Sequence, residues 1–279
     1  MPRVAHFSSD FLPASQAFVY REVTGHVRWE VEAFAQRRQN PDRFPFEPVH
    51  TLGPGRGLPG LLERAAYLAA LRSPTFAARF RRNPFDLIHA QFGPAGVQAL
   101  AFAERFDLPL VCTFGGVDVA ALEPRMRGRP DYLLYRLRAP RLLRHADRLL
   151  AVSRDLADRL VRLGAPPDRV HVFHRGVEVP AVQPPRPRPG PGGPVVLMVG
   201  RLVEKKGFRD GLAAAALLHR EGLPLQVRIV GGGPLEQDLL ARARDGGLLG
   251  PRTFAGSLTQ EEVFREMERA HVLLAPSVT

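Results

Sequence analysis

Three cations follow a buried strand in the second half of the chain. Val195–Val199 is a continuous apolar run, which is typical of a strand covered on both faces in a parallel sheet. Gly200 ends the run, and Arg201, Lys205 and Lys206 come within the next six residues. Ligands of open α/β sheets bind at the carboxyl ends of the strands. The pattern therefore favours a clamp for a phosphate or diphosphate, although a solvated turn whose charges serve solubility fits the same residues.

Lysine usage supports the clamp. Lys205 and Lys206 are the only lysines in the chain, which uses arginine for every other basic side chain. Arginine donates to two oxygens at once, whereas lysine acts as a point charge, so the two types together suit a phosphate group.

A glycine run follows the next predicted strand of the same half. Gly231, Gly232 and Gly233 come directly after Gln226–Val230. Glycines at a strand end let backbone N–H groups approach an anion, but they also form tight turns between a strand and a helix. Because this run and Arg201 share the carboxyl edge of one predicted sheet, we favour a role in the same anion site.

Other polar residues are weaker candidates. Ser15 and Gln16 lie in a loop predicted to face the second domain, where they either contact a ligand or cap the next helix. His89 ends a buried strand, and a structural histidine is the favoured interpretation. Asp118 either touches a substrate hydroxyl or caps the following segment, and these two roles stay open. Arg175 is expected to serve a turn.

Composition restricts the class of protein. The 279 residues carry 39 basic and 28 acidic side chains, a net charge of +11, so anionic partners are expected. The single cysteine, Cys112, permits no disulfide framework and no cysteine metal site. The first residues show no apolar signal core, and no uninterrupted apolar stretch of the sequence reaches the roughly 20 residues needed to cross a bilayer, so we expect neither a signal peptide nor a membrane span. We expect a cytoplasmic protein, or one bound peripherally to the inner face of the membrane.

Strands and helices alternate along the chain, which predicts doubly wound, mainly parallel sheets. We expect a first domain over residues 1–182, a Pro/Gly-rich linker over 183–194 and a second domain over 195–279. The second domain is predicted to have four strands, at 195–199, 226–230, 252–255 and 272–275. A finished sheet of this kind would continue beyond the last strand, so we expect the second domain to be incomplete.

Several motifs in this order and spacing resemble glycosyltransferase family 4. They are the loop at 11–19, Thr113-Phe114-Gly115-Gly116-Val117-Asp118, Gly176-Val177-Glu178, the segment 199–207 with Gly-Arg-Leu-Val-Glu-Lys-Lys-Gly at its centre, and the glycine run at 231–233. The resemblance covers nearly the whole chain and is of the polysaccharide-biosynthesis type.

The resemblance implies an α/β protein of the GT-B fold, with two Rossmann-like domains. It implies transfer, with retention, of a sugar from a nucleotide diphosphate sugar to a glycan or lipid-linked acceptor. Arg201 and Lys206 match the family's catalytic clamp, and Gly200 and Gly231–Gly233 match its donor-binding glycines. The leaving phosphate would accept the acceptor's proton, so no separate base, cofactor or metal is expected.

The chain departs from the family at two places. Gly115 stands where many relatives have a histidine that approaches the sugar, and glycine cannot donate that hydrogen bond. The family's Glu-x7-Glu, which contacts the sugar and the ribose, would lie beyond Thr279, so the chain alone is expected to be inactive. A fragment that binds nucleotide diphosphate without turnover is therefore the first alternative.

Basic stretches at 61–82 and 125–148 keep two further interpretations open. They are either solvated helix faces or surfaces that dock on an anionic membrane. Charge alone also permits nucleic-acid binding, but the aromatic residues are not interleaved with these arginines, so we expect no nucleic-acid partner. The Gly-x-Gly-x-x-Gly match at 55–60 contains a proline and is interpreted as a loop.

Overall fold

The computed structural model describes residues 1–52, 58–124, 132–177 and 187–278. The chain divides into two compact units, Met1–Val177 and Glu178–Thr279. Residues 55–57 of the Gly-x-Gly-x-x-Gly match lie outside the described residues. So do residues 125–131 of the second basic stretch and residues 183–186 of the predicted linker.

A seven-stranded, fully parallel sheet forms the centre of the first unit, in the order β3-β2-β1-β4-β5-β6-β7. The strands are β1 (Arg3–Phe11), β2 (Glu30–Arg38), β3 (Val49–Thr51), β4 (Leu87–Gln91), β5 (Leu110–Phe114), β6 (Arg148–Ala151) and β7 (Val170–Val172). The strand order reverses between β1 and β4. Folds of this kind bind ligands in the crevice at the carboxyl ends of two such strands.

Helices connect these strands, except β2 and β3, which are joined by residues 39–48 without a helix. They are α1 (Ala17–Thr24), α2 (Leu58–Ala70), α3 (Pro74–Arg82), α4 (Gly93–Phe106), α5 (Val117–Ala120), α6 (Leu133–His145) and α7 (Arg154–Arg162). Pro74 begins α3, and Ser73 caps this helix by accepting a hydrogen bond from the Phe76 N–H. Ser153 caps α7 in the same way, by accepting a hydrogen bond from the Leu156 N–H.

A smaller parallel sheet, ordered β10-β8-β9, forms the second unit. Its strands are β8 (Val195–Val199), β9 (Gln226–Val230) and β10 (Val272–Leu273), and its helices are α8 (Phe208–Arg220), α9 (Glu236–Asp245) and α10 (Gln260–Arg269). Met198 and Ile229 are fully buried in one core with Leu212 of α8 and Leu239 of α9. The apolar run at 195–199 is thus the central strand of this sheet, as its composition predicts.

One predicted strand of the second unit is wrong. Over 252–255 only Phe254 pairs with the sheet, in an isolated bridge to Ile229. The Ile229 N–H donates to the Thr253 carbonyl at 2.6 Å, and the Ala255 N–H donates back to Ile229 at 2.9 Å. Gly256 then has φ +67°, which turns the chain away before a ladder can form. The described sheet therefore has three strands where four were predicted.

Candidate functional site

The carboxyl edge of the second unit's sheet brings the predicted glycines together. Gly200 follows β8 with φ +154°, and its N–H donates to the Val230 carbonyl at 2.9 Å. Gly231 follows β9 with φ +138°, and a Cβ added there would clash with the Gly200 carbonyl oxygen. Two strand ends therefore touch through backbone alone, which any side chain at Gly231 would prevent.

The N–H groups of the glycine run differ in their availability. The Gly231 N–H donates to the Gly256 carbonyl at 2.8 Å and is therefore already used. Among the hydrogen bonds of the described residues, the N–H groups of Gly232 and Gly233 have no acceptor. The prediction that this run binds an anion through its backbone thus depends on Gly232 and Gly233, while Gly231 allows the close approach to Gly200.

The two predicted clamp cations lie in the segment that joins β8 to α8. Lys206 ends a 3-10 turn, Glu204–Lys206, and its Cε and Cδ atoms lie 3.7 and 3.8 Å from the position a Cβ would take on Gly200. Arg201 directly follows Gly200 and is exposed. Within the described ranges neither cation forms an ion pair or a side-chain hydrogen bond.

Arg209, in the first turn of α8, is a nearby cation that does form ion pairs. Arg209 contacts Glu204 at 2.5 Å and Asp238 at 2.7 Å, and hydrogen bonding to Asp238 is the main reason its pKa lies above the ordinary value. Arg209 is thus a structural cation. Arg201 and Lys206, which lack such partners in the described residues, remain available for an external anion.

A cavity of about 360 Å³ lies beside this turn. It is lined by Glu204, Lys205 and Gly207, among others, and not by Arg201 or Lys206. A pocket that holds both clamp cations therefore stays a prediction.

In the first unit, Asp118 is an anchor for backbone. Its carboxylate is buried and accepts N–H groups from Gly93, Gly115 and Gly116 at 2.8–3.3 Å, and from Val119 at 3.1 Å. Burial raises the pKa of Asp118 above its ordinary value, while these N–H groups act in the opposite direction. Of the two roles left open by the sequence, the contacts favour the cap.

His89 is held on both ring nitrogens. Nε2 lies 2.8 Å from the Thr113 hydroxyl and Nδ1 lies 3.5 Å from the Glu22 carboxylate. Its ring also packs edge-on against His6 at a centroid distance of 5.2 Å. Burial lowers the pKa of His89 to about 4, so the ring is neutral at physiological pH. These contacts support the structural interpretation of this histidine.

Ser15 and Gln16 lie in a 3-10 turn, Ala14–Gln16, directly before α1. Neither caps α1: Gln16 holds the N-cap position without a side-chain hydrogen bond, and Ser15 is exposed. Capping is therefore wrong for both residues. The Gln16 Oε1 is buried without a hydrogen-bond partner, and a ligand contact for this loop stays a prediction.

Gly115 has no room for a side chain in this chain. A Cβ there would lie 2.5 Å from Cε1 of Phe92 and 3.7 Å from Nη2 of Arg175. Arg175, expected from the sequence only to serve a turn, thus reaches the space beside Gly115. Sequence reasoning missed this residue because the groups around it are distant in the chain and Arg175 belongs to no motif that marks a ligand site.

The described part of the chain contains no helix long and apolar enough to cross a membrane.

Both units are parallel α/β folds, which the comparison with solved structures identifies. The fold is that of GT-B glycosyltransferases: the chain matches a structure of HepE from Anabaena in complex with UDP and glucose, at a TM-score of 0.70 and 16% identity, over 99% of this chain and 74% of that one. It also matches the apo form of the lipopolysaccharide outer core galactosyltransferase WaaB at a TM-score of 0.68 and 16% identity, over 99% and 73%.

The family follows from sequence. The model of glycosyltransferase family 4 matches residues 23–179, and a model of group 1 glycosyl transferases matches residues 193–279. This chain belongs to glycosyltransferase family 4, which confirms the resemblance given by its motifs.

Two relatives carry names from polysaccharide biosynthesis. The putative colanic acid biosynthesis glycosyltransferase WcaL of Escherichia coli K12 is 32% identical over 202 residues, 71% of this chain and 48% of that protein. The amylovoran biosynthesis glycosyltransferase AmsK of Erwinia amylovora is 31% identical over 203 residues, again 71% and 48%. The chain thus spans about half the length of the curated relatives it matches.

Proposed function

We propose that this chain transfers a sugar from a nucleotide diphosphate sugar to a glycan or lipid-linked acceptor in cell-surface polysaccharide synthesis. The observation that carries the proposal is the pair of cations, Arg201 and Lys206, without an acidic partner in the described residues. Both lie in the segment after Gly200, where the Lys206 side chain approaches Gly200 and the Leu202 N–H donates to the Gly232 carbonyl at 3.0 Å. The N–H groups of Gly232 and Gly233 follow the neighbouring strand and have no acceptor among the described residues. Relatives named for polysaccharide biosynthesis, and a neighbour bound to UDP and glucose, support this choice of substrate class.

The chemistry suits such an edge. As the bond between the sugar and the diphosphate breaks, negative charge grows on the departing phosphate oxygens. Arg201 donates a planar fork to two of these oxygens, and Lys206 adds a point charge that can follow the phosphate. Both stabilise the transition state more than the ground state, because the charge is larger there. No metal ion is needed in this scheme, since the two side chains supply the positive charge.

Retention follows if the acceptor attacks on the face that the diphosphate leaves. The acceptor oxygen then bonds to the anomeric carbon while its proton passes to a departing phosphate oxygen. This scheme needs no protein base. It is compatible with the neutral His89, whose ring is hydrogen-bonded to Thr113, and with Asp118, whose carboxylate already accepts backbone N–H groups.

Calorimetry of the chain with UDP, GDP and ADP tests the proposal directly. We expect saturable binding of one nucleotide in preference to the others, and release of that nucleotide from its sugar conjugate once a segment with Glu-x7-Glu is supplied. Binding without any turnover, even with a natural downstream segment restored, would favour a nucleotide-binding fragment. Absence of binding by all three would refute the site.

We also propose that the first unit docks on an anionic membrane surface, where it would bind a lipid-linked acceptor. Leu68 of α2 and Leu134 of α6 line one cavity of about 210 Å³, and Arg138 joins the two helices by donating to the Leu68 carbonyl at 2.8 Å. Leu134 and Leu137 are 50% and 70% exposed, three residues apart on one face of α6. Exposed leucines beside arginines suit a lipid surface whose headgroups are negative.

Replacing Leu134 and Leu137 together by serine should lower retention by vesicles of mixed phosphatidylglycerol and phosphatidylcholine, by about tenfold if each leucine contributes about 0.8 kcal/mol. Co-sedimentation measures this. The matched control replaces Leu217 and Leu223, which are each 51% exposed in the second unit, by serine. Equal loss in both double variants, or equal retention by purely zwitterionic vesicles, would contradict the proposal.

A further inference from the structure

Arg175 is held by aromatic rings in the first unit. Its guanidinium carbon lies 3.8 Å from the centre of the Phe18 ring and 5.8 Å from that of Phe92. The two rings meet edge to face at 6.3 Å. The guanidinium is therefore fixed in orientation by stacking rather than by a carboxylate.

One edge of this guanidinium has no partner. The Nε and Nη2 atoms are buried and make no hydrogen bond. The charge of Arg175 acts to lower the pKa of Glu22, but among the described residues the two side chains form neither a hydrogen bond nor a close ion pair. The Glu22 carboxylate instead lies 3.5 Å from Nδ1 of His89. Burying N–H donors of a cation without an acceptor is unfavourable, so a group that accepts from them would stabilise this arrangement.

The same edge binds oxyanions elsewhere in this chain. Nε and Nη2 of Arg79 donate to the two oxygens of Glu32 at 2.8 and 2.5 Å. Arg228 holds both oxygens of Glu266 at 2.7 and 3.1 Å through the same pair of nitrogens. In Arg175 this edge is the one left unpaired. Its geometry thus matches a carboxylate or a phosphate, which presents two oxygens side by side.

The unpaired edge of Arg175 lies beside Gly115. Nη2 is 3.7 Å from where a Cβ on Gly115 would stand, directly after the carboxyl end of β5. The turn around Gly115 is fixed by Asp118, which accepts its N–H. Glycine at this position leaves the space to the guanidinium, at the edge of the sheet where ligands of such folds bind.

We propose that Arg175 binds an oxyanion of the substrate, a carboxylate or a phosphate, through its Nε and Nη2 edge beside Gly115. This inference rests on the proposed sugar transfer for the identity of the substrate. The oxyanion has two sources: an acidic sugar, which carries a carboxylate, or the nucleotide diphosphate. Phe18 acts as the positioning residue, since it orients the guanidinium.

Calorimetry of the full chain with glucuronate, glucose and UDP tests the assignment. Arg175→Lys keeps the charge but loses the fork, and Arg175→Gln loses both. We expect about tenfold weaker binding of glucuronate or of UDP in both variants, because a bidentate, charge-assisted contact is lost. Weaker glucuronate binding assigns the oxyanion to an acidic sugar, and weaker UDP binding assigns it to the diphosphate. Glucose, which has no oxyanion, should bind all variants alike.

Two further variants keep the test decisive. Arg154→Gln removes an exposed arginine of α7 and should change neither affinity. Phe18→Leu retains Arg175 but removes its stacking surface, and should weaken the same probe severalfold. Affinities unchanged across all Arg175 and Phe18 variants, or no binding of either probe by the unsubstituted chain, would overturn the inference. If UDP binding depends on Arg201 while the Arg175 variants bind normally, the proposed sugar transfer stands without it.

Discussion

Replacing Arg201 by alanine is expected to weaken UDP binding about 10- to 100-fold, because one charge-assisted contact to phosphate contributes about 1.5–3 kcal/mol. In a chain supplied with the Glu-x7-Glu segment, turnover should fall further, by about 10²–10³-fold, since the departing diphosphate carries more charge in the transition state than in the ground state. Arg201 has no ion-pair partner in the described residues, so its loss should leave the free energy of unfolding nearly unchanged. Calorimetry and nucleotide release from the sugar conjugate measure the two effects.

Arg220→Ala is the matched control for Arg201→Ala. It removes the same charge from the last turn of α8, whose first turn adjoins the glycine edge. A helix of 13 residues separates its ends by roughly 20 Å, a distance at which salt screens one charge from another. Equal UDP affinity in Arg201→Ala and Arg220→Ala would show that Arg201 does not contact the diphosphate.

The central features of the second unit could be predicted because they depend on local composition. β8 and β9 have the bounds that the sequence indicates. The signal for β8 is an unbroken apolar run, which is typical of a strand buried on both faces. The strand predicted at 252–255 failed because a β-branched and aromatic composition does not reveal that Gly256 turns the chain away.

The roles of Asp118 and Arg175 could not be predicted from the sequence, because they depend on contacts between residues that are distant in the chain. Whether Asp118 meets a substrate or backbone depends on Gly93, 25 residues away, whose N–H it accepts at 3.1 Å. The stacking of Arg175 on Phe18 joins the two ends of the first unit. That Arg201 and Lys206 lie after the carboxyl end of β8 could be predicted, because the apolar run of the strand and these residues are close in the chain. Their role as a clamp stays a prediction.

The largest expected effect on stability is that of Glu32, a buried carboxylate on β2 that is surrounded by cations. Its side chain is 6% exposed and contacts Arg79 at 2.5 Å, His50 at 2.8 Å, and Arg3. Burial alone would raise the pKa of Glu32, but hydrogen bonds from Arg79 and His50 and the charges of Arg79 and Arg3 outweigh it, so the pKa lies below its ordinary value.

Glu32→Gln should lower the free energy of unfolding of the first unit by about 3 kcal/mol at pH 7, because it leaves partly buried cations without their counter-charge. Urea unfolding followed by fluorescence of Trp29, the single tryptophan, reports on this unit. Glu30→Gln is the control: Glu30 lies two residues earlier on β2, and its side chain is 57% exposed and 3.8 Å from Arg3. It should change stability by less than about 1 kcal/mol.

The effect of Glu32→Gln should also depend on pH, with a sign set by the lowered pKa. A carboxylate whose pKa is lower in the folded state than in the unfolded state contributes its full stabilisation above the unfolded value, about 4.3 for glutamate. That contribution is lost as the pH falls through the lower pKa of the folded state. The difference between the unsubstituted chain and Glu32→Gln should therefore be constant from pH 7 to about pH 5 and shrink below that. A difference that stays constant down to about pH 3, or that equals the effect of Glu30→Gln, would show that the cations do not hold Glu32 in its charged form.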